Sequence, residues 1–457
     1  MAEPHREAGV DLLSVARAVV QRADAGEQVE AYVSRVRETE VKVHAAAVEA
    51  LVVAERAGVG VRVLVDGRQG FAWAGSLDAD VVDEALAEAR DNARFATPDE
   101  HARIPTPGDC EHPVADLDLW RPDVLTTDTE AKVELGLAVE AATRAADDRV
   151  RAVESARYGD TALEMALANS HGVEATSRRT TCAVTSYAMV GDGAETRTGS
   201  GFSAGRAFAD LDAEIAGRDA AERAVRLLGA SQPPTRTLPV VFDPLVTRSL
   251  LAIIGSALGA ENVAKGRSMF ADRLGEEVAA ACVTLTDDPV VAAAFGATPY
   301  DAEGVPTRAV ALLSGGVLDG LLHNVSTAHR AGTTTTGSAV RGGYASAPGA
   351  GARALALRPG THGPEEILAI AGDALYVQSV SGLHSGTNPV SGDFSVGAEG
   401  LIVRDGALAE PVREVTIAST LPRMLLDVTE VGNDLTWLPG GAAGVTLMVA
   451  EMTVSGS

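Results

Sequence analysis

Apolar residues recur at helical spacing from about Asp11 to Ala25, where Leu12, Leu13, Val15, Ala16 and Val19 form one stripe. The period then shortens. EAYVSRVR, EVKVHAAAV, ALVVAERAG, GVGVRVLVDG and QGFAWAG are alternating or β-branched runs, with turns expected at Gly58/Gly60 and Asp66-Gly67. A capped helical pattern follows from Asp78 to Arg94, then a Pro-rich loop from Ala96 to Pro122. The order then repeats. A helix is predicted from about Thr127 to Asp147, strands with hairpin punctuation at Tyr158–Asp160 and His171-Gly172, and a helix from about Asp210 to Leu228. Helix, strands, helix, twice over, predicts two related halves, although no sequence repeat accompanies them.

SQPPTR, Ser231 to Arg236, is a linker, because its two prolines interrupt any regular element. Beyond it a short strand, LPVVFD, leads into the apolar helical stretch SLLAIIGSALGAENVAKGRSMF, and then Gly, Thr and Val dominate in short strand-like pieces. The expected architecture is α+β: residues 1–235 form an N-terminal domain of strands and helices, and residues 236–457 a mostly β domain around one buried helix. A length of 457 residues agrees with two domains rather than one core.

Composition narrows the function classes. With 38 Lys and Arg against 63 Asp and Glu, the net charge of −25 argues against nucleic acid or an anionic membrane as the partner. Three dispersed cysteines, Cys110, Cys182 and Cys282, fit a reducing compartment better than a disulfide framework. The first residues lack the design of a signal peptide, and no apolar run is long enough to span a bilayer, so a cytoplasmic protein is expected.

Candidate chemistry is sparse. GFSAG, Gly201–Gly205, matches the nucleophile elbow that exposes a serine hydroxyl at a strand-to-helix turn. The glycine-rich stretch before it reads as a hairpin strand instead, so a strand end is expected, with a serine hydrolase using Ser203 as the alternative. The nine histidines form no HExxH and no i, i+4 pair; His323 and His329 are six apart. Cys110, Glu111 and His112, with His101, lie in the Pro-rich loop and read as surface residues. No strand–GxGxxG–helix unit and no Walker A spacing is present. DAEGVPTRAVALLSGGVLDGLLHN reads as an acidic turn feeding a β-hairpin. GLHSGTNPVSGDFSVGAEGLIVRDG is the richest polar stretch. His384, Ser385, Gly386, Thr387 and Asn388 offer accessible backbone and hydrogen-bonding groups to an extended peptide, by strand addition or as an ordinary hairpin loop.

Taken in order, GVGVRVLVDGRQGFAWAGSLDADVVDEALAEA, DAEGVPTRAVALLSGGVLDGLLHN, RGGYASAPGAGARALALRPG and GLHSGTNPVSGDFSVGAEGLIVRDGALAEPVREVTIAST resemble the TldD/PmbA, or modulator-of-gyrase, family over nearly the whole chain. TldD-like members carry an HExxxH zinc helix and a Cys near the C-terminus; PmbA/TldE-like members lack both and pair with a TldD-like subunit. Aligned with that helix, this chain places Leu251, Ala252 and Ser256 at the ligand and base positions, and no Cys follows Cys282. The resemblance therefore implies a TldE-like subunit without metal of its own. It also implies zinc in an HExxxH-bearing partner and an unfolded or small peptide as substrate, including in peptide natural-product maturation. A stand-alone peptide-binding or regulatory module is the alternative.

Overall fold

Strands in the N-terminal half run for 17 to 20 residues at a time, and such lengths build one long sheet. In the computed structural model, which describes residues 10–456, helix α1 (Leu12–Val20) precedes strands β1 (Gln28–His44), β2 (Ala47–Val65) and β3 (Arg68–Ala74). Helices α2 (Ala79–Phe95) and α3 (Thr129–Ala146) follow, then β4 (Val150–Asn169), β5 (Glu174–Val190), β6 (Arg197–Gly205) and helix α4 (Ala213–Val225). His5, with the rest of residues 1–9 of the stretch read as lacking a signal peptide, lies outside the described residues.

All six strands form one antiparallel sheet in the order β3-β2-β1-β4-β5-β6. It consists of two three-stranded meanders joined where β1 pairs with β4, each flanked by two helices, as the repeated order predicts. The four helices cover one face. α1 and α2 pack on Val29, Ala31, Val33, Val59, Val61 and Val63; α3 and α4 pack on Val41, Val43, Val153, Tyr158 and Val184.

Two expected turns are absent. Gly58 and Gly60 lie in the middle of β2, and Tyr158–Asp160 in the middle of β4; the turn between β1 and β2 is Ala45-Ala46, both with positive φ. The glycines have another cause. A Cβ on Gly60 would lie 2.2 Å from the carbonyl oxygen of Tyr344, so the missing side chain lets a loop of the second domain rest on the sheet.

The second domain begins with β7 (Arg236–Phe242) and α5 (Pro244–Ala257). Asp243 caps α5 by accepting the Leu245 N–H, with Pro244 in the first turn. Strands β8 (Ala374–Ser381), β9 (Asp393–Arg404), β10 (Ala407–Thr420), β11 (Val428–Val431) and β12 (Leu447–Ser455) complete a sheet ordered β10-β9-β8-β7-β12-β11, in which β10 also pairs with β12 and closes a barrel. One apolar core joins α5 to the barrel interior through Leu250, Leu251, Ile254, Leu375, Ile417 and Leu447. A smaller sheet holds the expected hairpin of Val310–Ser314 and Val317–Leu318, turned at Gly315-Gly316.

Candidate functional site: the interdomain groove

The uncovered sheet face presents every second residue of three adjacent strands: Tyr32 and Ser34 of β1, Leu163 and Met165 of β4, Ser177 and Arg179 of β5. Register sets Val36 beside Leu163 and Leu163 beside Arg179, so this guanidinium ends an otherwise apolar row. Loops of the second domain stand opposite, contributing Tyr300, Arg341, Arg353 and Gly441, and enclose a cavity of about 710 Å³. A second cleft of about 500 Å³ shares Ala183 and Pro439 with it and runs beside α5, where Leu245, Arg248, Ser249, Gln378 and Leu383 line it. The two form one groove of a size suited to a short peptide.

A buried ionic cluster fixes one end of this interface. Glu30 and Arg62 face each other across β1 and β2, and their side chains meet at 2.6 Å. Arg62 also lies 2.9 Å from Glu303, and Arg341 lies 2.8 Å from Glu30; the four side chains are at most 3% exposed. Arg341 further donates to the Ala302 carbonyl at 2.6 Å and lies over the Tyr32 ring. The acidic turn of Asp301–Glu303, read from the sequence as feeding a β-hairpin, is thus fully buried where the domains dock. Asp301 accepts the Glu303, Val305 and Ala339 N–H groups, yet burial and the neighbouring Glu303 push its carboxyl up to about 7. Burial also pushes Asp287 up to about 6, although it accepts the Arg353 and Ala354 N–H groups. At the other end, Arg206 reaches across the interface to the Ala292 carbonyl at 3.2 Å.

The residues singled out in the sequence fall in four places. Leu251 is 2% exposed and packs in the barrel core, whereas Ala252 and Ser256 are exposed on the other side of α5. Five residues along a regular α-helix turn the side chain by about 140°, which separates Leu251 from Ser256. His384–Asn388 lies in the connection between β8 and β9, next to the Leu383 end of the second cleft. The segment itself is a short helical turn at Leu383–Gly386 rather than a strand, while Ser379–Ser381 at the end of β8 pair with β9 alone, since β7 reaches β8 only at Leu375–Val377. The Ser385 and Thr387 hydroxyls donate to the Gly382 and Leu383 carbonyls, and Asn388 accepts the Val390 N–H; His384 is exposed.

Ser203 lies within β6, as expected for a strand end, and its hydroxyl accepts the Asp212 N–H at 3.0 Å. No histidine bonds to it among the described residues. His323 is buried and His329 exposed; the latter's Nδ1 lies 3.3 Å from that of His101. Glu111 and His112 are exposed as expected, but Cys110 is half-buried against Gly304, and burial pushes its thiol up to about 11. Among the described residues no three His, Cys, Asp or Glu side chains gather as a metal site would require.

Sequence reasoning missed Glu30, Arg62, Arg179, Arg341 and Arg353. The available signal was the phase of alternation. Glu30, between buried Val29 and Ala31, and Arg62, between buried Val61 and Val63, occupy strand positions where a charge needs a partner.

Models of three successive PmbA/TldA metallopeptidase domains match residues 29–93, 122–228 and 235–456, and the chain belongs to the PmbA/TldD family. Metalloprotease PmbA of Escherichia coli O157:H7 is 28% identical over 399 residues, which cover 87% of this chain and 85% of that relative. The structure of a Thermotoga maritima protein described as a candidate modulator of a DNA gyrase superposes with a TM-score of 0.86 at 26% identity, over 97% of this chain and 98% of the other. TldE from Thermococcus kodakarensis has the same fold, with a TM-score of 0.86 at 22% identity over 97% and 99% of the two chains. No helix among the described residues is long and apolar enough to cross a membrane.

Proposed function

We propose that this chain is the TldE-like subunit of a cytoplasmic two-subunit metallopeptidase, and that it shapes one wall of a peptide channel while an HExxxH-bearing TldD-like partner supplies zinc and base. The observation that carries this reading is α5. From Pro244 to Ala257 the helix contains no His, Cys, Asp or Glu, and the position aligned with a first ligand, Leu251, is built into the barrel core. Neither an alkane nor a methyl side chain ligates zinc or moves a proton, and the Ser256 hydroxyl alone is a poor ligand.

The groove supports a role in binding rather than chemistry, because it is peptide-sized and lies along this helix. The His384–Asn388 loop borders one end of it as a candidate peptide contact. The sheet supports a partner. β3 pairs only with Val59–Val65 of β2, so from Ala47 to Gly58 the outer edge of β2 carries no strand among the described residues. Val48, Leu51, Val52 and Val53 are exposed along it. A long apolar edge of this kind is an adhesive surface unless another chain covers it.

Co-expression with the HExxxH-bearing family member of the same organism, followed by metal analysis and digestion of an unfolded peptide pool, tests the reading. A stoichiometric complex is expected, with zinc and peptidase activity in the complex and neither in this chain alone. Stoichiometric zinc in the isolated chain, or peptidase activity without a partner, overturns the assignment.

A further inference from the structure

We propose that Arg179 and Arg353, on opposite walls of the interdomain cavity, form a carboxylate-binding site that anchors a peptide by its C-terminal carboxylate or by an acidic side chain. The proposal rests on the reading of the groove as a peptide channel and adds the charge that the peptide must carry there.

The other arginines around the cavity have evident structural roles. Arg62 and Arg341 are paired with Glu30 and Glu303. Arg206 donates to the Ala292 and Ala294 carbonyls. Arg353 gives one nitrogen to the Ala339 carbonyl at 3.0 Å, but its buried Nε has no partner. Arg179 stands apart: among the described residues it makes no ion pair and no hydrogen bond, although it is half-buried on the cavity wall. Burial, and then repulsion from Arg353, hold its guanidinium down at about 10, so the site is strained by cation without counterion.

The local carboxylates do not relieve it. Asp301 accepts three backbone N–H groups, and Asp287 accepts two through one oxygen while its other oxygen is buried without a partner; neither forms an ion pair with Arg179 or Arg353 among the described residues, and Asp160, on the helix-covered side of the sheet, is held by Lys132 at 2.5 Å and Tyr158 at 2.7 Å. In a chain of net charge −25 this leaves a cationic pocket with Val36 and Leu163 beside it. Low-dielectric walls strengthen its attraction for an anion, and a planar guanidinium fork matches a carboxylate better than a spherical ion. An entering carboxylate would accept from Arg179 and be drawn by the charge of Arg353, which faces Arg179 closely enough to repel it.

Calorimetric titration of the full-length chain with four ligands tests this: tetra-alanine as free acid, tetra-alanine amide, an alanine amide with one central Glu, and succinate. At least one carboxylate-bearing peptide is expected to bind about tenfold or more tightly than the neutral amide, and Arg179→Gln should remove that preference. Arg179→Lys should restore it only in part, since the charge returns without the fork. The free acid and the Glu peptide distinguish the two sources of carboxylate. Arg179 donates no hydrogen bond, so an unchanged melting temperature in Arg179→Gln would show that the fold is intact. Equal binding of amide and acids, or undiminished acid preference in Arg179→Gln, overturns the carboxylate site and leaves the peptide channel standing. Binding of succinate but of no peptide, lost in Arg179→Gln, supports the anion site and removes the channel. No binding by any ligand overturns both.

Discussion

The two ends of one interdomain surface treat arginine in opposite ways. Around Glu30, Arg62 and Arg341 alternate with carboxylates, and the cluster is nearly dry. Along the same strands toward β5, Arg179 and Arg353 line a cavity and form no ion pair among the described residues, although Asp287 and Asp301 lie near Arg353. A closed ionic cluster fixes register and orientation between two domains, because each charge is intolerable in any arrangement that separates it from its partner. An open one stores an unmet demand for a ligand. The difference suggests that docking and binding occupy adjoining but chemically separate parts of the groove.

Breaking the closed end should have the largest effect. Arg62→Ala leaves Glu303 buried without a counterion and Glu30 with Arg341 alone, and is expected to cost about 3–5 kcal/mol in urea unfolding. A loss below about 1 kcal/mol would mean that water already solvates the cluster. Gly60→Val attacks the same docking surface through shape. Its side chain would meet the Tyr344 carbonyl and should cost about 1–3 kcal/mol, with greater protease sensitivity in the loop around Tyr344.

The next effect is one of pH. Asp287 and Asp301 keep their protons in the folded chain up to about 6 and about 7, whereas an unfolded aspartate releases its proton near 4. Their contribution to stability is therefore complete below about pH 4 and is lost as pH rises through those two values. The melting temperature should fall between about pH 4 and 7. Asp287→Asn should flatten part of that slope, since the amide keeps the acceptor used by Arg353 and Ala354 and removes the titrating group. An unchanged slope would assign the pH dependence to the surface charge instead. The smallest effect should come from the open end: Arg179→Gln is expected to change stability by no more than about 0.5 kcal/mol, measured in the same urea series.

Much of the first domain was legible because its helices and strands obey simple periods. The helices near Asp11, Asp78, Thr127 and Asp210 all exist, with ends displaced by a few residues. The misplaced turns share one cause. Glycine was read as punctuation at Gly58, Gly60 and Gly159, but Gly58 and Gly60 make room for another part of the chain, which no local pattern reveals. That α5 carries no His, Cys, Asp or Glu was legible directly, and its burial through apolar content. That Leu251 and Ser256 point to different sides required the helix itself. The groove was not legible, since its two walls come from β5 and from loops more than a hundred residues further along. Arg179 in particular looks like an ordinary surface residue of an alternating strand until the second domain is placed over it.

The central pairing of β1 with β4 has a consequence in time. Glu30 faces Asn169, so β1 cannot complete its ladder until the second meander has been synthesised. At typical elongation rates the first meander waits roughly ten seconds with an open inner edge as well as the bare outer stretch of β2. Folding of this chain should therefore be limited by a long-range event rather than by its many hairpins. Arrested nascent chains ending before and after Asn169 should differ sharply in the protection of β1 amides from exchange. Equal protection would show that the first meander folds alone.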